Sequence, residues 1–411
     1  MRLREIHIEN YKSLRDVRFE PTPLSVMVGP NAAGKSNFID AIDFLSDVYS
    51  AGLEVAIQRK GGYENIAHRK QRRTKAAISF GIVADFETTI AGTDSIEFRL
   101  IHTFSIKASG AGIRAEFVVT EESFSLLIEN GSSFVPFLKL NREVGAEPTI
   151  EVAEGTLEAS ISYARNLREA FSKMSLREQD LMMSGLYDLL LLDLATQISQ
   201  WSIFQISPAL TRLSAAPTPN PTLSRQGENL PAMVDWLKHK HSALWFQVIS
   251  AMQEVIPDLE DISTDYTHTK TLGLQFKEQN VSRPFTAEDV SAGTLHTLAM
   301  LVAAADPRIT LLCIDELENS LHPWIISVLI RRFRELSSDK TIFLTTHSPT
   351  LIDALHPGEI WIVHKKDGET QIANLTELHP DSAKDFESGD IRLSEYLGSG
   401  LVPEVVPGGV Y

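Results

Sequence analysis

The sequence predicts an α/β protein whose core sheet is parallel or mixed, interrupted by an antiparallel β subdomain and a helical insertion. Three observations carry this. Apolar strands alternate with helices near the C-terminal end: helix 294–305, ITLLCID (309–315), helix 323–336, TIFLTT (341–346) and EIWIVHKK (359–366). That alternation requires a parallel sheet. Between residues 77 and 131 the apolar period is two, as in an antiparallel meander. Near the N-terminus, the apolar run LSVMVG (24–29) leads through a glycine-rich turn into helix-spaced apolar residues from Ser36 to Tyr49.

In chain order, LREIHIEN (3–10) alternates as a strand and LSVMVG reads as a buried one. QRKGGYENIAHRKQRRTK (58–75) reads as a polar loop. AISFGIVADF, SIEFRLIHTFSIK, IRAEFVVTE and SFSLLIENG read as four strands. Residues 156–200 turn helical without a sustained heptad, so no coiled-coil arm is expected. WSIFQIS (201–207) is a strand, 216–229 a Pro-rich loop, 229–256 one helical stretch and TLGLQFKE (271–278) a strand. The expected division is 1–75, the first half of a head; 76–155, the β subdomain; 156–285, a mostly helical insertion; and 286–411, the second half of the head.

Composition narrows the function. The 411 residues carry a formal charge of −16, so the surface as a whole repels nucleic acid and anionic membranes. A DNA or RNA contact would need a local basic patch. HRKQRRTK (68–75), with five Lys/Arg in eight residues, offers one. A solvated loop between two subdomains is the favoured reading of the run, because no aromatic residue interleaves with it. The single cysteine, Cys313, excludes an internal disulfide. No apolar stretch reaches membrane-spanning length, and the start has no signal-peptide pattern. A cytoplasmic protein without membrane partners is expected.

Four motifs bear chemistry. GPNAAGKS (29–36) fits G-x-x-x-x-G-K-[ST] between a strand and a helix. Its backbone amides from Gly29, Pro30, Asn31, Ala32, Ala33 and Gly34 to Asn37 would surround phosphates; proline itself contributes only its shape. Lys35 would reach the β/γ-phosphates, and the Ser36 hydroxyl would ligate Mg2+. LLCIDE (311–316) ends an apolar strand in two carboxylates. Asp315 suits the metal, and Glu316 suits the general base for an attacking water. TIFLTTHSP places His347 at a strand's carboxyl end, where it could bond a γ-phosphate or the water. VSAGT (290–294) puts Ser291 and Gly293 at a helix start, a natural anion cap.

The order of these motifs resembles the ATP-binding-cassette ATPases, and within them the RecF/SMC/OLD-type group. IHIENYKSLRDVRFEPTPLSVMVGPNAAGKSNFIDAIDFL and DELENSLHP carry the resemblance, which covers about 1–74 and 286–411. It implies an ABC-type P-loop ATPase head that uses ATP and Mg2+ and forms a head-to-tail homodimer. Ser291 and Gly293, with Thr294 nearby, would then cap the γ-phosphate held by the other copy. It also implies nucleotide contacts at Lys12 and Ser13. The Leu-Ser-Gly-Gly-Gln form is absent, and the Q-loop glutamine has only Gln58 and Gln71 as candidates.

OLD-type proteins add a nuclease domain, for which the 64 residues after His347 are too few. The resemblance therefore implies an ATPase acting through a separate effector, of the kind found in anti-phage systems, or a RecF-like DNA repair ATPase. Other readings are a non-hydrolysing scaffold, which the intact Lys35, Asp315, Glu316 and His347 oppose, and a transporter motor. The transporter reading is disfavoured because Ser291 lies 256 positions after Lys35.

Overall fold

The structure, a computed structural model, describes residues 1–68, 76–89, 95–109, 116–131, 133–152, 177–182, 200–383, 386, 391–399 and 401–405. Most of the expected helical region 156–200, residues 69–75 of the basic run with Gln71, and the tail 406–411 lie outside the described residues. The chain forms two compact units. The first comprises 1–21, 31–201 and 363–373; the second comprises 22–30, 202–362 and 374–411.

The first unit is built on a seven-stranded sheet. Its strands are β1 (Arg2–Tyr11), β2 (Leu14–Phe19), β4 (Ile78–Thr89), β5 (Ser95–Ala108), β6 (Phe117–Asn130), β7 (Ser133–Glu143) and β8 (Thr149–Val152). The spatial order is β2-β1-β4-β5-β6-β7-β8, and neighbours pair antiparallel. The expected strands IRAEFVVTE and SFSLLIENG are a single strand, β6, because the polar Glu121-Glu122-Ser123 stretch stays in the ladder.

Helix α1 (Lys35–Ala51) packs on this sheet through aromatic side chains. Phe44 lies 5.7 Å from Tyr11 and 5.2 Å from Phe80, and Phe38 meets Phe19 at 5.0 Å. A buried polar string adds direction to the contact. The Tyr49 hydroxyl donates to His102 Nδ1 (2.6 Å), and His102 Nε2 donates to Glu122 Oε1 (3.2 Å). Glu122 in turn accepts the Met182 N–H. The expected loop after α1 is partly helical, as α2 (Leu53–Arg59) and α3 (Tyr63–Ile66), since Leu53, Ala56, Ile57, Tyr63 and Ile66 all bury.

In the second unit, β15 (Ile360–Lys366), β3 (Leu24–Val28), β14 (Thr341–Thr346), β13 (Leu311–Ile314) and β9 (Trp201–Phe204) lie side by side in that order. The β13/β14, β14/β3 and β3/β15 pairs are parallel, as the strand–helix alternation requires. Past Ile362, β15 belongs to the first unit, where it turns through Asp367-Gly368 into β16 (Glu369–Asn374). The expected strand 201–207 ends at Phe204.

The helical stretch 229–256 is two helices, α4 (Leu230–Lys240) and α5 (Ser242–Val255). His241 breaks them with φ −133°, ψ 54°, and its ring packs 4.5 Å from that of Trp236. A hairpin of β10 (Leu259–Tyr266) and β11 (Leu272–Glu278) follows, edged by β12 (Phe285–Thr286).

Helix α6 (Ala292–Ala305) is the core of this unit. Every residue from Thr294 to Ala305 is buried. A helix apolar on all sides must be enclosed, which fixes its axis. Its far end is held by Lys340, whose Nζ donates to the carbonyls of Ala304 (2.7 Å) and Asp306 (2.9 Å). Burial pulls the Lys340 ammonium down to about 8, against smaller opposing effects of Asp306 and Asp339.

The unfolded chain therefore holds this proton over the range between about 8 and the ordinary lysine value, where the folded chain does not. Stability contributed by Lys340 rises with pH across that window. Relative to Lys340→Met, the native chain should gain about 1–3 kcal/mol between pH 8 and pH 10.5, read from denaturant midpoints. A pH-independent difference between the two proteins would refute it.

Candidate functional site: a phosphate loop and a carboxylate pair

Strand β3, buried at every residue, feeds the loop Gly29–Gly34, and α1 starts at Lys35. Ala32 and Gly34 take positive φ, 62° and 119°. This tight curl is the one the motif's spacing predicts. No side chain caps α1, which suits an anion at its start. Asn31, Ala32 and Ser36 are exposed, and Lys35 is largely buried. The Asn37 amide donates to the Ser13 hydroxyl at 2.6 Å.

Lys12 and Ser13, in the β1–β2 turn, therefore stand beside the loop's downstream end. With Asn37, Lys60, Asn65 and His68 they line a cavity of about 660 Å3. Lys12, Lys60 and Tyr11 all donate to Asp40. Burial alone would raise the Asp40 carboxyl, but these three hydrogen bonds outweigh it and hold it below the usual range. Asp40 stays ionised and positions both ammonium groups. Sequence reasoning missed Lys60, although it stands in the QRKGG run that opens the polar segment. Gln58 is exposed on α2 and bonds Glu54.

In the second unit, β13 delivers Asp315 and Glu316. The Thr345 hydroxyl, from the neighbouring parallel strand, donates to Asp315 Oδ1 (2.5 Å) and accepts the Glu316 N–H (2.9 Å). One buried hydroxyl thus fixes the Asp315 carboxylate and the Glu316 backbone. Glu316 is exposed, has φ 54°, and accepts from Asn319 Nδ2 (2.9 Å). A non-glycine residue in this region stores strain of about 1–3 kcal/mol, a common feature of working sites. The exposed His347 donates its backbone N–H to Glu318 Oε1 at 2.7 Å.

Ser291 is the N-cap of α6. Its Oγ accepts the Thr294 N–H (3.1 Å) and lies 2.9 Å from Thr294 Oγ1. Arg212 holds the approach to it through the carbonyls of Ala287 and Val290. The helix start is joined to the loop after Glu316. A Cβ on Gly293 would sit 2.8 Å from the Ser320 carbonyl oxygen. In a helix alanine is ordinarily better than glycine by about 1 kcal/mol, so close approach explains the glycine here.

One turn on, His296 donates Nδ1–H to the Asn319 carbonyl. Burial lowers the His296 imidazole, only partly offset by that bond, so it is neutral at neutral pH. Within this unit Gly293 and His347 thus meet the loop 316–320 that contains Glu316, and Ser291 stands two residues before Gly293. Thr345, Asn319 and His296 were not singled out from the sequence, though each lies within or beside a recognised motif.

A parallel sheet that carries a strand–loop–helix GPNAAGKS turn, an Asp-Glu strand end, a strand-end histidine and a serine-capped buried helix has the features that the sequence's resemblance to ABC-type ATPase heads leads one to expect. Comparison with known proteins agrees. Residues 1–179 match the family described as “AAA ATPase domain”, and residues 208–353 match “AAA domain, putative AbiEii toxin, Type IV TA system”. The SMC head bound to the C-winged helix domain of ScpA shares the fold: TM-score 0.54 and 13% identity, over 92% of this chain and 100% of that one.

The SMC head domain from Thermotoga maritima aligns with TM-score 0.43 and 13% identity over 91% and 99% of the two chains. An Smc head with an extended coiled coil, bound to the C-terminal domain of ScpA derived from Pyrococcus furiosus, gives 0.48 and 12% over 95% and 100%. No curated protein matches the chain. The two matched domains are thus both of the AAA type, and the chain shares the SMC-head fold. Among the described residues no helix is long and apolar enough to cross a membrane.

Proposed function

We propose that the chain binds and hydrolyses ATP as a dimeric switch that acts on nucleic acid or controls a separate effector protein, in anti-phage defence. The observation that carries this is the Thr345-held Asp315/Glu316 pair, joined through residues 316–320 to the Ser291 helix start. Residues 29–37 hold the phosphates, with Lys35 as their cation and Lys12 and Ser13 at the far side. Ser36 and Asp315 would hold Mg2+, since a hydroxyl and a carboxylate are the hard oxygen ligands this ion prefers. When bound, the ion would supply neutralisation of phosphate charge.

Glu316 takes the proton of the attacking water, and His347 orients that water or the γ-phosphate. Ser291 and Gly293 cap the γ-phosphate bound by the second copy, so two ATP molecules close a head-to-tail dimer and hydrolysis opens it. The toxin-type description of one matched domain supports the defence reading. The SMC head bound to a ScpA domain, which shares the fold, supports a separate protein partner. The alternative that the sequence resemblance implies is a RecF-like role in DNA repair.

Phosphate release and particle mass, measured with ATP and Mg2+ with and without DNA or RNA, test the proposal. Slow release and an ATP-dependent doubling of mass are expected. Absence of ATP binding would refute it.

A further inference from the structure

We infer that Thr370 is a positioning residue for the phosphate loop and aims the Gly34 amide at the nucleotide. This rests on the reading of the loop as an ATP site. Thr370 lies on β16 and is fully buried. Its hydroxyl donates to the Ala33 carbonyl (2.9 Å) and lies 2.7 Å from Ser13 Oγ. Its backbone N–H donates to the Ser13 carbonyl (2.9 Å).

Proton counting sets the direction of the side-chain contacts. A threonine hydroxyl has one proton, and the Ala33 carbonyl can only accept it. Thr370 therefore accepts from Ser13. The Ser13 hydroxyl, its proton used, accepts from Asn37 Nδ2 at 2.6 Å. The result is a one-way chain from Asn37 through Ser13 and Thr370 to Ala33. It begins on the first turn of α1 and returns to the loop four residues upstream. Such chains polarise each member in the same sense.

The consequence for the site follows from peptide geometry. The Ala33 carbonyl and the Gly34 N–H belong to one planar unit and point in opposite directions. Fixing the carbonyl on Thr370 turns the Gly34 N–H away from β16, toward the open side of the loop. Thr370 in turn leaves no room for a side chain at position 34. A Cβ there would lie 2.0 Å from Thr370 Oγ1, and its φ is 119°. The motif glycine is thus matched to this threonine.

Thr370→Val keeps the shape and removes the hydroxyl, whereas Thr370→Ser keeps the hydroxyl. Affinity for ATP and ADP, measured by calorimetry well below the melting temperature, separates the roles. Thr370→Val should bind about tenfold more weakly, the loss of one well-aimed hydrogen bond to a charged group. Thr370→Ser should stay within about twofold of native. If Thr370→Val does not fold, Thr370→Ala, which adds no atoms, replaces it with the same expected loss. A valine variant that binds like native overturns the inference, as does a serine variant as weak as valine. A native protein that binds no ATP refutes the ATP reading instead.

Discussion

Glu316→Gln should bind ATP as tightly as the native chain, release phosphate at least about a hundredfold more slowly, and accumulate as a dimer in ATP. General-base removal costs about 10²–10⁴ in rate, which sets the size of the effect. The fold should be indifferent. Glu316 is exposed, its backbone N–H is held by Thr345, and a glutamine carbonyl can still accept from Asn319. The trapped species is also the bait for a pull-down of the effector. Native turnover by this variant, or a monomer at saturating ATP, would sink the mechanism.

Ser291→Arg should bind ATP as a monomer within about twofold of native, yet neither dimerise nor turn over. Because Ser291 caps α6, losing its acceptor also costs about 1 kcal/mol and lowers the melting temperature by a few degrees. Ser291→Asp separates the two effects. Aspartate caps as well as serine, so its melting point should stay near native, but its charge would face the partner's γ-phosphate and block turnover. If Ser291→Arg instead abolishes ATP binding by the monomer, the helix start serves its own chain's nucleotide.

The elements legible in the sequence are those whose signals are local. The run LSVMV, the GPNAAGKS turn and the helix behind it are read within thirty residues and stand as expected in β3 and α1. LLCI ends at Asp315 and TIFLTT at His347, and both are buried strands. What escaped was set by partners far along the chain. Thr370 meets Ser13 across 357 positions and carries no motif of its own. Lys60 matters because Asp40, twenty residues earlier, turns it toward Lys12. His241 breaks a helix with neither proline nor glycine beside it, because its ring packs against Trp236. The merging of two expected strands into β6 has the same origin: Glu122 is a poor strand-interior residue until His102 and the Met182 amide satisfy it.

The chain passes between its two units at residues 21–22, 30–31, 201–202, 362–363 and 373–374, and the second of these falls inside GPNAAGKS. No single cut can therefore release a working half. A fragment ending anywhere before residue 374 lacks part of the polypeptide that one unit needs. A premature stop before residue 363 takes segments from both units, and a split-protein reporter or a domain graft must carry every one of these segments, including the stretch after β16. The nucleotide loop is inherited as a junction, not as a portable cassette.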